Sequence, residues 1–397
     1  MKTSKWLKFT ILYLGAIVLS ISQMKISPTD LRESLIMLLN LTPLEVSIYV
    51  SIFAFAPVFL AIPGGKLVKQ YGAKKISIII MLALFLGNII GYLSDSYYVM
   101  LLGRIIEGVS FSFIMTTGMV LITNWFKDGG YGLAVGIFGT FSAFGYAAVI
   151  YLLPMLHNYS GLKSIWLALS ITAAIIGIGF VFLFDDPRSE LNTDGTVKRV
   201  HLSESLHNPR IIKLAIAMGC VSFILFTFLD GYPTIFKNIY NLSPETSSFN
   251  SMFFGLIGIP VGFIIGFLID KTGRPLTIGF ISFILLAIAC FMTDKTPPLL
   301  LIGQVSILSA CISFTSTSIS SSVPKVVKHP GLIDDSFAIV YLFYYIGALI
   351  GIPIVSGLAG SYGWTIAVLP LTIVALLGAV LTYPFFRREA KRIALNE

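Results

Sequence analysis

Arg104 and Glu107 stand inside an otherwise apolar run, Leu101-Leu102-Gly103-Arg104-Ile105-Ile106-Glu107-Gly108. A charge near the centre of a bilayer costs about 2.5–3.5 kcal/mol on insertion scales, so an intramembrane ion needs either a partner or a function. Their i,i+3 spacing puts both on one helix face, close enough to pair. Two chemistries fit. A structural ion pair would staple neighbouring spans. Alternatively, Glu107 titrates while Arg104 tunes it, because burial raises a carboxyl's pKa and a guanidinium lowers it.

A second charged pair flanks prolines. Lys25 lies three residues before Pro28, and Asp230 three before Pro233. Matched positions with opposite charge suggest an outer-gate salt bridge. Lys25 could instead attract an anionic substrate, or snorkel to the headgroups. Tyr344 and Tyr345, with Phe343 before them, could orient a polar substrate through their phenolic hydroxyls, or simply pack. All four histidines (His157, His201, His207 and His329) fall in polar stretches, no H-E-x-x-H occurs, and paired intramembrane aspartates are missing. The three cysteines, Cys220, Cys290 and Cys311, sit in apolar runs and are odd in number, against a disulfide framework or a zinc site. We expect no enzyme, no metal and no cofactor.

The elements that position these groups follow from composition. The chain has 397 residues, 56% hydrophobic and 12% charged, with a mean hydropathy of +0.89. That is more apolar surface than one or two globular cores can bury, so a lipid bilayer is the expected solvent. Twelve runs reach the roughly 20 residues a spanning helix needs: 7–26, 44–63, 76–94, 97–123, 131–153, 163–184, 211–236, 244–269, 275–293, 298–322, 336–359 and 363–386. The organisation expected is a six-helix bundle over 1–184, a polar cytoplasmic linker over 185–210, and a second six-helix bundle with a short tail over 211–397.

Orientation follows from basic residues. With the N-terminus inside, 21 Lys and Arg fall on the inner side and five (Lys25, Arg32, Lys163, Lys237, Lys295) on the outer. This satisfies the positive-inside rule and predicts a multi-pass cell-membrane protein with both termini cytoplasmic. The formal net charge of +8 is then a topology signal, and no nucleic-acid partner is needed to explain it. The sequons at Asn40, Asn158 and Asn241 are read as helix-start chemistry or chance.

The halves repeat. Asn40-Leu41-Thr42-Pro43 recurs as Asn241-Leu242-Ser243-Pro244, Gly65-x-Leu67 and Gly72 recur as Gly266-x-Leu268 and Gly273, and Leu101-Leu102-Gly103-Arg104 recurs as Leu301-Ile302-Gly303-Gln304. Thr42, Pro43 and Glu45 predict a capping box opening the second span.

With these motifs the chain resembles the major facilitator superfamily along essentially its whole length. Gly266-Phe267-Leu268-Ile269-Asp270-Lys271-Thr272-Gly273-Arg274 matches the family's inner-loop pattern nearly completely. The first copy, Gly65 to Lys75, departs from it, with Lys69 in the acid's position and Gln70 in the base's. Arg104-Ile105-Ile106-Glu107-Gly108 matches the fourth-span pattern. Asn124-Trp125-Phe126 and Gly132-Leu-Ala-x-Gly136 look like cyanate-, nitroimidazole- and organic-anion-type porters. The resemblance implies an all-α fold of twelve transmembrane helices in two bundles related by a pseudo-two-fold. It also implies a secondary transporter working by alternating access, whose inner-gate latch involves Asp270, Lys271 and Arg274 with Gly at close helix approaches. We expect a small, anionic small-molecule substrate, coupling to protons, and a monomer. An efflux antiporter for a neutral or amphipathic compound is the alternative within the class; a membrane enzyme or a receptor is the alternative outside it.

Overall fold

Helix punctuation in the two halves is alike. Asn40 and Asn241 both adopt φ 53°, and among the described residues no other non-glycine has a positive φ. Asn40 is the C-cap of the helix Thr29–Leu39, and Asn241 lies two residues past the cap of the helix Pro209–Asn238; both sit in the left-handed region that their short polar side chain tolerates. Each is followed two residues later by a hydroxyl N-cap and then a proline. Thr42 and Glu45 form the reciprocal capping box, and Ser243 accepts from the Thr246 amide. Gly72 (φ 87°) and Gly273 (φ 65°) then close the two helices that follow. A side chain at either position would strain the turn.

The computed structural model describes residues 4–127, 129–184, 202–327 and 332–394. Every regular element among them is helical: α1 Lys5–Met24, α2 Thr29–Leu39, α3 Pro43–Ser51, α4 Phe55–Tyr71, α5 Ala73–Leu93, α6 Tyr97–Trp125, α7 Tyr131–Phe138, α8 Phe141–Ser160, α9 Lys163–Leu183, α10 Leu202–Leu206, α11 Pro209–Asn238, α12 Pro244–Thr272, α13 Pro275–Phe291, α14 Leu301–Val326, α15 Ile333–Tyr362 and α16 Trp364–Ala394. The chain divides into two units, Met1–Val197 and Lys198–Glu397. Eleven helical segments among the described residues are long and apolar enough to cross a membrane, and α13 is a shorter apolar helix. The protein is a multi-pass membrane protein.

Three departures from the hydropathy reading have physical causes. The 3₁₀ turn Ile52–Ala54 breaks the second span into α3 and α4, where neither Gly nor Pro announces a break. The fifth span is two helices hinged at Gly139 and Thr140. There Thr140 Oγ1 donates to the Ile137 carbonyl at 2.6 Å, and Tyr13 holds Thr140 from α1 at 2.7 Å. Between the first two spans lies α2, an 11-residue helix too short and too polar to register as a span.

In the first unit α1 packs on α8 and α9, α5 on α6 and α9, and α4 on α6. In the second, α11 crosses α15 most closely. A Cβ on Gly347 would overlap the Gly219 carbonyl and Ser222 Oγ, so only glycine permits that crossing. The loop glycines behave otherwise. Gly65 and Gly266 have open space where a Cβ would go, which corrects the expectation that they serve close helix approach.

Candidate functional site

The first unit buries two cations around one carboxylate. α1 ends at Met24, which leaves Lys25 just past its last turn, fully buried. Its Nζ donates to Glu107 Oε1 at 2.6 Å and to Asn88 Oδ1 at 2.7 Å, and lies 5.3 Å from the Trp166 ring centroid. This overturns the snorkelling alternative, because no part of Lys25 reaches solvent. Arg32, also counted among the outer charges, is buried as well and donates to Ser47 Oγ at 2.7 Å.

Glu107 is satisfied from three directions. Besides Lys25 it accepts from Arg104 Nη1 at 2.7 Å and from Ser22 Oγ at 3.0 Å. Asn88 closes the ring by donating through Nδ2 to Ser22 Oγ at 3.0 Å and to the Leu84 carbonyl at 2.9 Å. The ammonium fixes this amide's orientation, since only its oxygen can face a donor. Gly87 makes room for the carboxylate: a Cβ there would overlap Glu107 Cγ and the Gly103 carbonyl.

Arg104 does more than pair. Its five N–H donors meet five acceptors. Nε reaches the Tyr49 carbonyl (3.2 Å), Nη1 the Ser22 carbonyl (2.7 Å) and Glu107, and Nη2 the Gln23 (2.8 Å) and Val50 (3.1 Å) carbonyls. Ser22 and Gln23 belong to the last turn of α1, and Tyr49 and Val50 to the last turn of α3 before its 3₁₀ break. These are helix-end carbonyls without intrahelical partners. One guanidinium therefore caps two helix C-termini, and the break in the second span is matched by a donor from the fourth. Tyr49 and Phe53 hold their rings 5.2 and 5.4 Å from the guanidinium carbon. Tyr49 in turn accepts from Trp166 Nε1 at 3.2 Å. A cavity of about 10 Å³, room for about one water, borders Arg104 and Glu107 beside Ser22, Gln23, Leu84 and Phe111.

The second unit holds a neutral counterpart. Gln304, which the repeat aligns with Arg104, accepts from the Tyr232 hydroxyl at 3.1 Å. It donates to the Ala289 carbonyl and to Thr293 Oγ1, each at 3.1 Å. Asp230 is buried on α11. Tyr345 is buried too, and the half-buried Tyr344 sets its ring 5.7 Å from Phe226 and 5.8 Å from Tyr345, a packed arrangement. At the inner-loop motif Lys271 and Arg274 are exposed, and the Gly273 carbonyl accepts from Lys325 Nζ at 3.2 Å. The side chains of Asp270 and Lys69 lie outside the described residues. No group of three or more potential metal ligands occurs among the described residues.

Sequence reasoning reached Arg104, Glu107 and Lys25 but missed Ser22, Asn88, Tyr49, Trp166 and Gly87. Asn88 alone carried a signal, a lone amide within an apolar span.

The major facilitator superfamily profile matches residues 10–333. The chain belongs to the Major Facilitator Superfamily. The probable galactarate/D-glucarate transporter of Bacillus subtilis (strain 168) is 23% identical over 290 residues, 62% of this chain and 63% of that protein. An inner membrane transport protein of Escherichia coli (strain K12), YajR, is 22% identical over 189 residues, 47% of this chain and 41% of that protein. The matches thus span about three fifths or less of those relatives' lengths. Among solved structures, that of the nucleoside transporter NupG aligns with a TM-score of 0.76 at 14% identity, covering 94% of this chain and 100% of that one. An inward-facing, unoccupied bacterial homolog of the human lysosomal transporter Spinster also gives 0.76, at 13% identity over 96% and 97% of the two chains. These likenesses show the twelve-helix fold.

Proposed function

We propose that this protein is a secondary transporter that moves a small organic anion across the cell membrane by alternating access, coupled to protons, as a monomer with both termini in the cytoplasm. The observation that carries this reading is the buried cluster of the first unit, where, among the described residues, Glu107 is the carboxylate that Lys25 and Arg104 share. Intramembrane ionisable groups mark substrate and ion pathways, and a surplus positive charge suits an anion. The relative named for galactarate and D-glucarate adds a concrete class, polyhydroxylated dicarboxylates. The outer-gate pairing of Lys25 with Asp230 belongs to the same proposal, and it competes with Glu107 and Asn88 for one ammonium. The inner latch of Asp270 with Lys271 and Arg274 also belongs to the proposal.

The test is counterflow in proteoliposomes, with radiolabelled D-glucarate or galactarate set against labelled uridine. Exchange of the dicarboxylates without uridine exchange supports the reading. Exchange of uridine, or of a neutral amphipath, without dicarboxylate exchange overturns the anion assignment and leaves the neutral-compound antiporter.

A further inference from the structure

We infer that Lys25 is the group that takes up and releases the coupling proton, and that Glu107 and Arg104 are its fixed electrostatic frame. This rests on the proton-coupled reading above and names the atom at which it occurs, Lys25 Nζ.

The reasoning starts from charge arithmetic inside a closed site. Lys25, Arg104 and Glu107 are all buried, so the cluster carries one surplus positive charge when all three are ionised. A buried charge without a counterion is costly, and proteins usually relieve the cost by moving a proton. Three moves exist. Arg104 stays protonated, and all five of its donors are engaged. Protonating Glu107 would raise the surplus from one to two and turn a carboxylate that accepts from three donors into a poorer acceptor. Removing a proton from Lys25 brings the cluster to neutrality and leaves the Arg104–Glu107 pair intact. Only the last move lowers the buried charge.

The surroundings agree. Facing Lys25 from α6 are Arg104 and Glu107. From α5 and α9 come only the neutral Asn88 and Trp166, and from α1 the neutral Ser22 and Gln23. α3 contributes the Tyr49 hydroxyl, which Trp166 engages. α2 carries Arg32, which donates to Ser47 Oγ, and the acids Asp30 and Glu33, neither of them in an ion pair with Lys25. His157 of α8 is hydrogen-bonded to Ser34. Glu107 is thus the acid in direct contact with Lys25 in this unit, and it is shared with Arg104. A water in the cavity beside Glu107 would give the proton a route to the cluster.

The cycle balances. On one side of the membrane neutral Lys25 gains a proton from water, forming one N–H bond and giving the cluster its surplus positive charge. The anion then meets a cluster of opposite sign. On the other side the anion leaves, that N–H bond breaks to water, and the cluster returns to neutrality. Anion and proton therefore favour the same state of the site, which is the requirement for symport.

The first experiment needs no substrate. The purified full-length protein is titrated from about pH 6 to about pH 9, below the ordinary lysine value of about 10.4, and released protons are counted with pyranine. Lys25→Arg and Lys25→Gln should each release one proton fewer than wild type, and the surface control Lys163→Arg should release the same number. Equal counts for wild type and both Lys25 variants would overturn the inference. In the second experiment proteoliposomes are given D-glucarate. Lys25→Arg should lose accumulation driven by a pH gradient, while the surface control Lys163→Arg accumulates like wild type. A Lys25→Arg protein that still accumulates D-glucarate like wild type overturns the inference, whereas a wild type that moves no D-glucarate but shows the proton difference overturns only the substrate class.

Discussion

Arg104→Lys separates a structural tie from a substrate ligand. A guanidinium offers five N–H donors in a planar fork, an ammonium three on a point. In the native site four donors go to the carbonyls of Ser22, Gln23, Tyr49 and Val50 and one to Glu107. A lysine here keeps the charge and the Glu107 contact but leaves at least two buried carbonyls without a donor. Each unsatisfied buried group costs about 1–3 kcal/mol, so the loss is about 2–6 kcal/mol. At about 1.4 kcal/mol per factor of ten, the folded-to-unfolded ratio falls between roughly 30-fold and 10⁴-fold. The assay is denaturant unfolding of the purified protein in one fixed detergent, read by tryptophan fluorescence, with Trp166 beside the site as reporter. A variant within about 0.5 kcal/mol of wild type that no longer transports would refute the capping argument and make Arg104 a ligand for the anion.

Gly87→Ala should lower stability by about 1–3 kcal/mol, because its Cβ meets Glu107 and the Gly103 carbonyl; unchanged thermal unfolding would show that the carboxylate sits elsewhere. Gly65→Ala and Gly266→Ala, each in a helix interior with open space, should leave stability equal or raise it by about 0.5–1 kcal/mol in the same measurement. Glu107→Gln leaves Lys25 and Arg104 without their carboxylate and should cost about 3–5 kcal/mol. Adding Lys25→Gln removes one of the orphaned cations and should recover part of that loss in denaturant unfolding, and a double variant no more stable than the single one would sink the paired-charge account. Asp270→Asn should slow counterflow more than Lys69→Asp, and equal, wild-type rates would leave both loops with a purely topological role.

Much of the fold was legible because its rules are short-range. Hydropathy over about 20 residues marks spans whatever they pack against. The caps at Thr42 and Ser243 follow from hydroxyls that bond an amide three positions along the chain. Arg104 and Glu107 pair because three residues make most of one helical turn. The sequence alone determined these, together with the repeat and the family.

Only the tertiary structure decided what the charges do. The residues that bring Lys25 its partners are 63 and 82 positions away, on helices whose facing sides depend on packing at Gly87 and Gly103. The carbonyls that saturate Arg104 exist as acceptors only because α1 stops at Met24 and the second span breaks at Ile52–Ala54, where no residue type predicts a break. Local chemistry cannot see such partners, because a buried ion's partner is fixed by which helix faces meet, and that is a property of the whole bundle rather than of any window along the chain.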